Sequence, residues 1–368
     1  MSAQRNPQGA AAVFGGRADV GADAFAEATV GVRVGHASSG DTGVTVLIPD
    51  VAAIGAVDVR GGGPGTRETD LLDPSNTVQR VHAIALCGGS APGLAAADGV
   101  LAALRDNGVG VQVSEDHPDI RIPVVPAAVI FDLLVGAADA PDAELGRAAF
   151  DAASAGPAQS GSVGAGTAAM AGALKGGVGQ AVVRFDSGAY VAAVVVANPL
   201  GAVVGPDNRL YGDPDWGTLD SDARAGLDTV FVGLTKVLRR EEGSDSADSA
   251  ASAASDGAAS ALNTTIGAVI TNAPVTAAQA RRLAMAGHDG MARAIRPSHL
   301  PFDGDTLFCL GDVGSGTEDN PAGVSPEQLA GLSAAAADAV QFAIVDAVRS
   351  ATSRGGVLAF AEHATAAR

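Results

Sequence analysis

The amino-acid sequence predicts a mixed α and β fold with short antiparallel strand pairs and few clean βαβ units. Short β-branched runs are bounded by Gly, Asp and Pro, whereas longer Ala-rich stretches open on capping residues and close on helix stops. The composition adds a third clue: 49 Gly among 368 residues, 47% hydrophobic and only 4% aromatic, describe a core of small side chains and closely approaching backbones. That hydrophobicity, with only 17% charged residues, excludes disorder for most of the chain. The Gly excess has no three-residue period, which excludes a collagen-like fibre. A chain this long buries about three quarters of its surface and needs no disulfide staples.

Taken in order, residues 1–28 read as a loose Gly/Ala arm. Strands follow at Gly31–Gly35, Val44–Ile48 and Ala53–Val57, then a loop from Asp58 to Asn76 around Gly61-Gly62-Gly63-Pro64-Gly65. Ala83–Leu86 reads as a buried strand, and Gly93–Arg105 as a helix stopped at Asn107-Gly108. Asp142–Ala155 is a second helix, opened by Pro141. Gln180–Phe185 and Ala189–Ala197 flank Asp186-Ser187-Gly188, a hairpin signal. Asp222–Arg240 reads as a helix. From Gly243 to Ala261 the chain is almost entirely Ser, Ala, Asp and Gly, which marks a flexible linker over 243–261. Thr264–Thr271 is then a strand and Thr276–Ala292 a helix. Ser325-Pro326-Glu327-Gln328 launches a long Ala-rich helix to about Ser350.

The net charge of −18, from 41 acidic and 23 basic residues, repels phosphate backbones and anionic headgroups, so neither nucleic-acid nor membrane binding is expected. Two cysteines, Cys87 and Cys309, make no disulfide framework and read as buried thiols in a reducing compartment. The first sixteen residues lack the apolar segment of a secretory signal, and no apolar run reaches the roughly 20 residues a membrane span needs. A cytoplasmic protein is expected.

Candidate chemistry centres on the junction where the linker meets Asn263-Thr264-Thr265-Ile266. A solvated segment that stops at a hydroxyl residue opening a buried strand makes sense if the chain is cut before Thr264. The cut frees an α-amine beside that residue's hydroxyl, with an intrinsic pKa near 8 that lets it act as base. The alternative is an Asn-capped turn and an ordinary strand Thr. Asp303-Gly304-Asp305 places two carboxylates where they can hold an ammonium or a divalent cation, or simply make a solvated turn. Lys175 is one of few lysines in a Gly-rich region; buried beside a hydroxyl, it would lower that hydroxyl's pKa, and otherwise it is a surface Lys. Asn198 ends an apolar strand, where its amide can aim into a cleft as an oxyanion donor or start a turn before Pro199. Neither Gly61–Gly65 nor Gly161–Gly166 carries the following residues of a phosphate loop, the six histidines show no metal spacing, and no GxSxG elbow is present.

Several stretches together resemble the L-aminopeptidase/D-esterase (S58) family of N-terminal-nucleophile hydrolases, which includes β-peptidyl aminopeptidases and nylon-oligomer hydrolases. They are Gly31-Val32-Arg33-Val34-Gly35-His36, Val57-Asp58-Val59-Arg60-Gly61-Gly62, Pro64-Gly65-Thr66-Arg67-Glu68-Thr69-Asp70, Cys87-Gly88-Gly89-Ser90, Gly172-Ala173-Leu174-Lys175-Gly176-Gly177, Val196-Ala197-Asn198-Pro199, Asn263-Thr264-Thr265-Ile266 and Asp303-Gly304-Asp305-Thr306. The resemblance implies a four-layer αββα sandwich of the N-terminal-nucleophile type. It also implies self-cleavage at Asn263–Thr264 into chains 1–263 and 264–368 that stay together as one domain. Thr264 matches the nucleophile, Asn198 the family's oxyanion Asn, and Lys175, Asp303 and Asp305 the polar network. There Lys175 would hold the Thr264 hydroxyl and the aspartates nearby ammonium groups. Two departures concern the pocket: Phe131 stands where relatives often carry an oxyanion-binding Tyr, and Pro92-Gly93 follow Ser90 where an aromatic often precedes the Gly.

The resulting expectation is an autoprocessing amide hydrolase. It releases amino-terminal residues from short peptides or related amides through an acyl-enzyme, needs no cofactor or metal, and forms homo-oligomers of αβ units. The alternatives are a nylon-oligomer (6-aminohexanoate) amidase, acyl transfer of the ornithine acetyltransferase kind, and a non-catalytic binding protein.

Overall fold

The computed structural model describes residues 16–227, 231–232, 235–236 and 263–366. Two sheets carry the architecture. One has seven strands in the order Gly16–Val20, Gly177–Phe185, Tyr190–Ala197, Ile266–Thr271, Thr306–Gly311, Ala53–Val59, Arg80–Val81. The other has five, in the order Val32–Ser39, Thr42–Pro49, Ile84–Cys87, Ala127–Val129, Thr66–Arg67. Neighbours are antiparallel except Ile266–Thr271 with Thr306–Gly311, and Ile84–Cys87 with Ala127–Val129.

The strand Tyr190–Ala197 shows why the layers stack. Its side chains alternate between faces, as every strand's must. Val191, Ala193, Val195 and Ala197 enter a core shared with the helices Ala277–Ala294 and Pro326–Ser350. Ala192, Val194 and Val196 face a second core, between the sheets, with Leu47, Ile84, Leu86 and Ala128. Both faces are dry, so the strand reads as one apolar run, and each buried Val is worth about 1.5–3 kcal/mol. A third core lies beyond the five-stranded sheet, where Val44, Val46 and Ile48 meet Ala97, Val100 and Leu104 of the helix Ala96–Asp106. The order is helix, sheet, sheet, helix, the four-layer sandwich the resemblance implied.

Small residues make the outer layer thin. The helices Ala96–Asp106 and Ala143–Asp151 approach so closely that a Cβ on Gly99 would lie 1.8 Å from the Ala143 carbonyl oxygen, and one on Gly146 1.9 Å from that of Ala96. The cap predicted at Ser325 is present, and Thr276 and Asp142 cap their helices as well. Thr276 and Ser325 each form a capping box, with Gln279 and Gln328, and the Asp142 side chain accepts from Leu145 N–H. Gly188 turns the Gly177–Phe185 and Tyr190–Ala197 hairpin at φ 84°. Both cysteines are buried and unpaired.

Four expectations change. The arm over 1–28 holds from 16 to 28 a strand, Gly16–Val20, paired with Gly177–Phe185, and a helix, Ala22–Ala28; both are short and bury few large side chains, so their periodicity is faint. Residues 1–15 lie outside the described residues, as does the linker 243–261. The helix expected over Asp222–Arg240 covers Ser221–Leu227, and Phe231–Val232 pairs with Thr235–Lys236 as strands. The strand Thr306–Gly311 was not anticipated, because the Asp-Gly-Asp run before it reads as a loop. Finally, Pro326–Ser350 is long and apolar enough to cross a membrane, with a mean hydropathy of 1.4 in its most apolar window, but 83% of that window is buried within the fold.

Candidate active site

The seven-stranded sheet ends at a knot of polar residues. There Thr264, Asn198, Asp303 and Asp305 leave the strand ends at one edge of the sandwich, all nearly inaccessible to solvent. Parallel pairing begins before the regular strand: Asn263 N–H donates to Phe302 O at 3.2 Å, and Gly304 N–H donates to Asn263 O at 2.8 Å. On the other side, Thr264 N–H donates to Asn198 O at 3.0 Å. Thr264 is thus held between two strand ends. Gly304 presses on it so closely that a Cβ there would lie 2.7 Å from Thr264 Oγ1.

The two aspartates are clamped by backbone. Asp303 accepts from Leu200 N–H at 3.3 Å and Leu300 N–H at 2.9 Å, tying the turn after Asn198 to the loop before the acidic pair. Asp305 accepts from Thr265 N–H at 2.8 Å, and from His299 through its backbone N–H at 3.0 Å and its ring Nδ1–H at 2.8 Å. The Gly-rich run supports this loop from behind. Gly61 N–H reaches Asp305 O at 3.2 Å and Gly63 N–H reaches Asp303 O at 2.9 Å, and a Cβ on Gly61 would sit 2.1 Å from Asp303 O. The glycines there serve close backbone approach, not phosphate.

Asn198 is fixed at both ends of its amide. Oδ1 accepts from Met170 N–H at 2.8 Å, and Nδ2 donates to Phe131 O at 3.0 Å, leaving its second N–H for another acceptor. Lys175 is fully buried, but its Nζ donates to the carbonyls of Gly166, Ala169 and Gly176 at 3.1, 2.9 and 3.0 Å. This corrects the expectation that Lys175 grips the Thr264 hydroxyl: its donors are spent on backbone. Its link to Thr264 runs through the Ala169–Met170 peptide to Asn198. Ser90 follows Ile84–Cys87 of the five-stranded sheet, at φ 56°, with its N–H on Ile130 O at 2.9 Å. Phe131 joins the cluster through its carbonyl, and Ser90 makes no hydrogen bond to that cluster among the described residues.

Comparison with known proteins places this arrangement. The model of peptidase family S58 matches residues 29–359. The chain belongs to this family. It is 43% identical over 350 residues to an uncharacterised aminopeptidase of Mycobacterium leprae, covering 89% of this chain and 90% of that protein. It is 32% identical over 289 residues to a 6-aminohexanoate-oligomer endohydrolase of Paenarthrobacter ureafaciens, covering 76% and 72%. Among solved structures it is similar to a Burkholderia sp. beta-aminopeptidase (TM-score 0.67, 22% identity, 97% and 93% covered). It is also similar to the L-aminopeptidase D-Ala-esterase/amidase of Ochrobactrum anthropi, a variant of the Ntn hydrolase fold (TM-score 0.63, 19% identity, 95% and 91% covered). The protein is therefore a hydrolase with an Ntn-type fold, from a family that acts on peptide or amide bonds.

Sequence reasoning missed two parts of this S58 site. His299 braces Asp305 from a position no metal or triad spacing would flag, and its φ of 58° marks the tight loop that brings it there. Asp132 directly follows Phe131; it is 3% exposed and accepts from Gly89 N–H at 2.7 Å. Burial pushes its carboxyl up to about 7, against the pull of Lys175. Burial likewise pushes Lys175 down to about 7, with Asp132 opposing that shift.

Proposed function

We propose that the protein is an autoprocessing aminopeptidase or amidase whose nucleophile is Thr264. The observation that carries this reading is the hydrogen bond from Gly304 N–H to the Asn263 carbonyl oxygen, with the Thr264 hydroxyl packed against the same glycine. A donor already seated on that oxygen is what an attack on the Asn263 carbonyl requires, because it meets the negative charge developing there. In self-cleavage, Thr264 Oγ bonds to the Asn263 carbonyl carbon, the Asn263–Thr264 C–N bond breaks, and the departing nitrogen takes the hydroxyl proton. Water then hydrolyses the ester, leaving an Asn263 carboxylate and a free Thr264 amine.

That amine, with an intrinsic pKa of about 7.7–8.0, takes the hydroxyl proton in each later turnover. The second N–H of Asn198 Nδ2 is the donor for the substrate oxyanion. Asp303 and Asp305 hold the nucleophile strand against its neighbours. An aminopeptidase-named relative at 43% identity supports release of amino-terminal residues from short peptides; the nylon-oligomer hydrolase at 32% keeps aminohexanoyl amides as a second substrate class. Chains 1–263 and 264–368 remain one sandwich, since Ile266–Thr271 pairs with Tyr190–Ala197 across the sheet.

Intact mass and denaturing gels test the first step: the 35.9 kDa chain is expected to give two fragments, divided between residues 263 and 264. Thr264→Ala is expected to leave a single chain and to lower amide turnover by roughly 10⁴-fold or more. Undiminished hydrolysis by that variant overturns the assignment.

A further inference from the structure

We propose that Asp132 is a positioning residue of this site: its charge holds the Lys175 ammonium in its ring of carbonyls and, through that ring, fixes the orientation of Asn198. The proposal rests on the reading of Thr264 as nucleophile and Asn198 as oxyanion donor.

The cradle around Lys175 has three acceptors, the carbonyls of Gly166, Ala169 and Gly176. An ammonium has three N–H donors and fills it; a neutral amine has two and leaves one carbonyl facing a lone pair. The cradle is built for the cation. A fully buried cation needs a counter-charge. Asp132, itself buried and directly following the Phe131 whose carbonyl holds Asn198 Nδ2, is a carboxylate in the same cluster whose charge favours the ammonium. One oxygen of Asp132 takes Gly89 N–H. The other, Oδ2, is buried without a hydrogen-bond partner among the described residues, beside Gly88, where a Cβ would lie 2.5 Å from it. One oxygen is engaged by backbone and the other is not, so part of the Asp132 charge remains available to Lys175. Three other groups face the pair. Arg354 repels Lys175, and its Nε is held by Asp41 at 2.7 Å. Asp41 repels Asp132. Cys87, buried and pushed up to about 12, stays a neutral thiol.

The coupling to catalysis runs through one peptide unit. Ala169 O accepts from Lys175 at 2.9 Å, and the N–H of the same peptide, on Met170, donates to Asn198 Oδ1 at 2.8 Å. That bond fixes which end of the Asn198 amide points at Phe131 O and where its remaining N–H aims. Loss of the Lys175 charge loosens the peptide and, with it, the oxyanion donor.

The test is the pH–rate profile on an aminoacyl p-nitroanilide. Asp132→Asn keeps an acceptor for Gly89 N–H and removes the charge. Without that charge the Lys175 pKa falls, so the ammonium is lost at lower pH. The alkaline limb should move down by about one unit, and kcat should drop about tenfold to a hundredfold with KM little changed. Arg354→Gln removes a repelling charge, and its alkaline limb should move up. A limb that stays in place in Asp132→Asn overturns the proposal, whatever Arg354→Gln does. Where Asp132→Asn does not fold, Arg354→Gln decides alone: an upward shift supports the proposal and an unmoved limb ends it. Thr264→Ala run alongside separates the two readings, since full turnover there defeats the nucleophile assignment itself.

Discussion

Two acidic centres flank the same strand ends and are satisfied in opposite ways. Asp303 and Asp305 are saturated by donors: four backbone N–H groups and one imidazole ring hold them. Asp132 takes one backbone N–H on Oδ1, and its Oδ2 has no hydrogen-bond partner among the described residues. The difference separates two jobs that buried carboxylates perform. Donors that converge on a carboxylate fasten several chain segments to one point, and the charge is consumed in doing so. A carboxylate with an unspent oxygen in a dry site projects its field onto the nearest cation instead. Asn198 lies between the two centres, since its carbonyl holds Thr264 N–H while its amide rests on the peptide under Lys175.

If Asp305 is a fastener, its loss should be mainly structural. Asp305→Ala strands Thr265 N–H and both His299 donors. With charged hydrogen bonds worth about 1.5–3 kcal/mol each, a destabilisation of about 3 kcal/mol or more is expected in denaturant unfolding, along with failure to self-cleave. A stable Asp305→Ala protein that cleaves normally would erase the contrast drawn between the two centres. Asn198→Asp comes next. The new carboxylate still accepts from Met170 N–H, but its other oxygen faces Phe131 O and offers no N–H to an oxyanion. Turnover should fall about 100–1000-fold, the usual cost of one such donor, while unfolding shifts less than in Asp305→Ala.

The sequence made the layers legible because they depend on period. YVAAVVVA can only be a strand dry on both faces once its flanking hairpin signal is recognised, and the capping box at Ser325 announces its helix directly. The proposed cleavage junction stands out for a different reason: a composition step from Ser/Ala/Asp/Gly to a β-branched run is abrupt at Asn263-Thr264. What stayed hidden has no periodic or compositional trace. Whether Lys175 meets a hydroxyl or three carbonyls depends on where the 164–176 backbone turns, and nothing in Leu174-Lys175-Gly176-Gly177 encodes that. Asp132 reads as one more acid in an acidic chain until the fold buries it. The strand Gly16–Val20 is half exposed at a sheet edge, so its pattern fades into the Gly/Ala run before it.

His299 gives the smallest effect and the sharpest check on the fastening role. Its backbone N–H holds Asp305 whatever the side chain, so His299→Ala removes only the ring bond at 2.8 Å. One hydrogen bond to a charged group, about 1.5–3 kcal/mol, translates to self-cleavage slowed roughly 12- to 160-fold, measured as the half-time of the uncut chain on denaturing gels. His299→Asn should recover most of the rate, because its amide nitrogen reaches toward Asp305 as Nδ1 does and Asn tolerates the φ of 58° found there. Cleavage abolished by Ala and unrescued by Asn would mean that the imidazole moves a proton. Asp305 would then belong with Asp132, as a carboxylate acting through its charge.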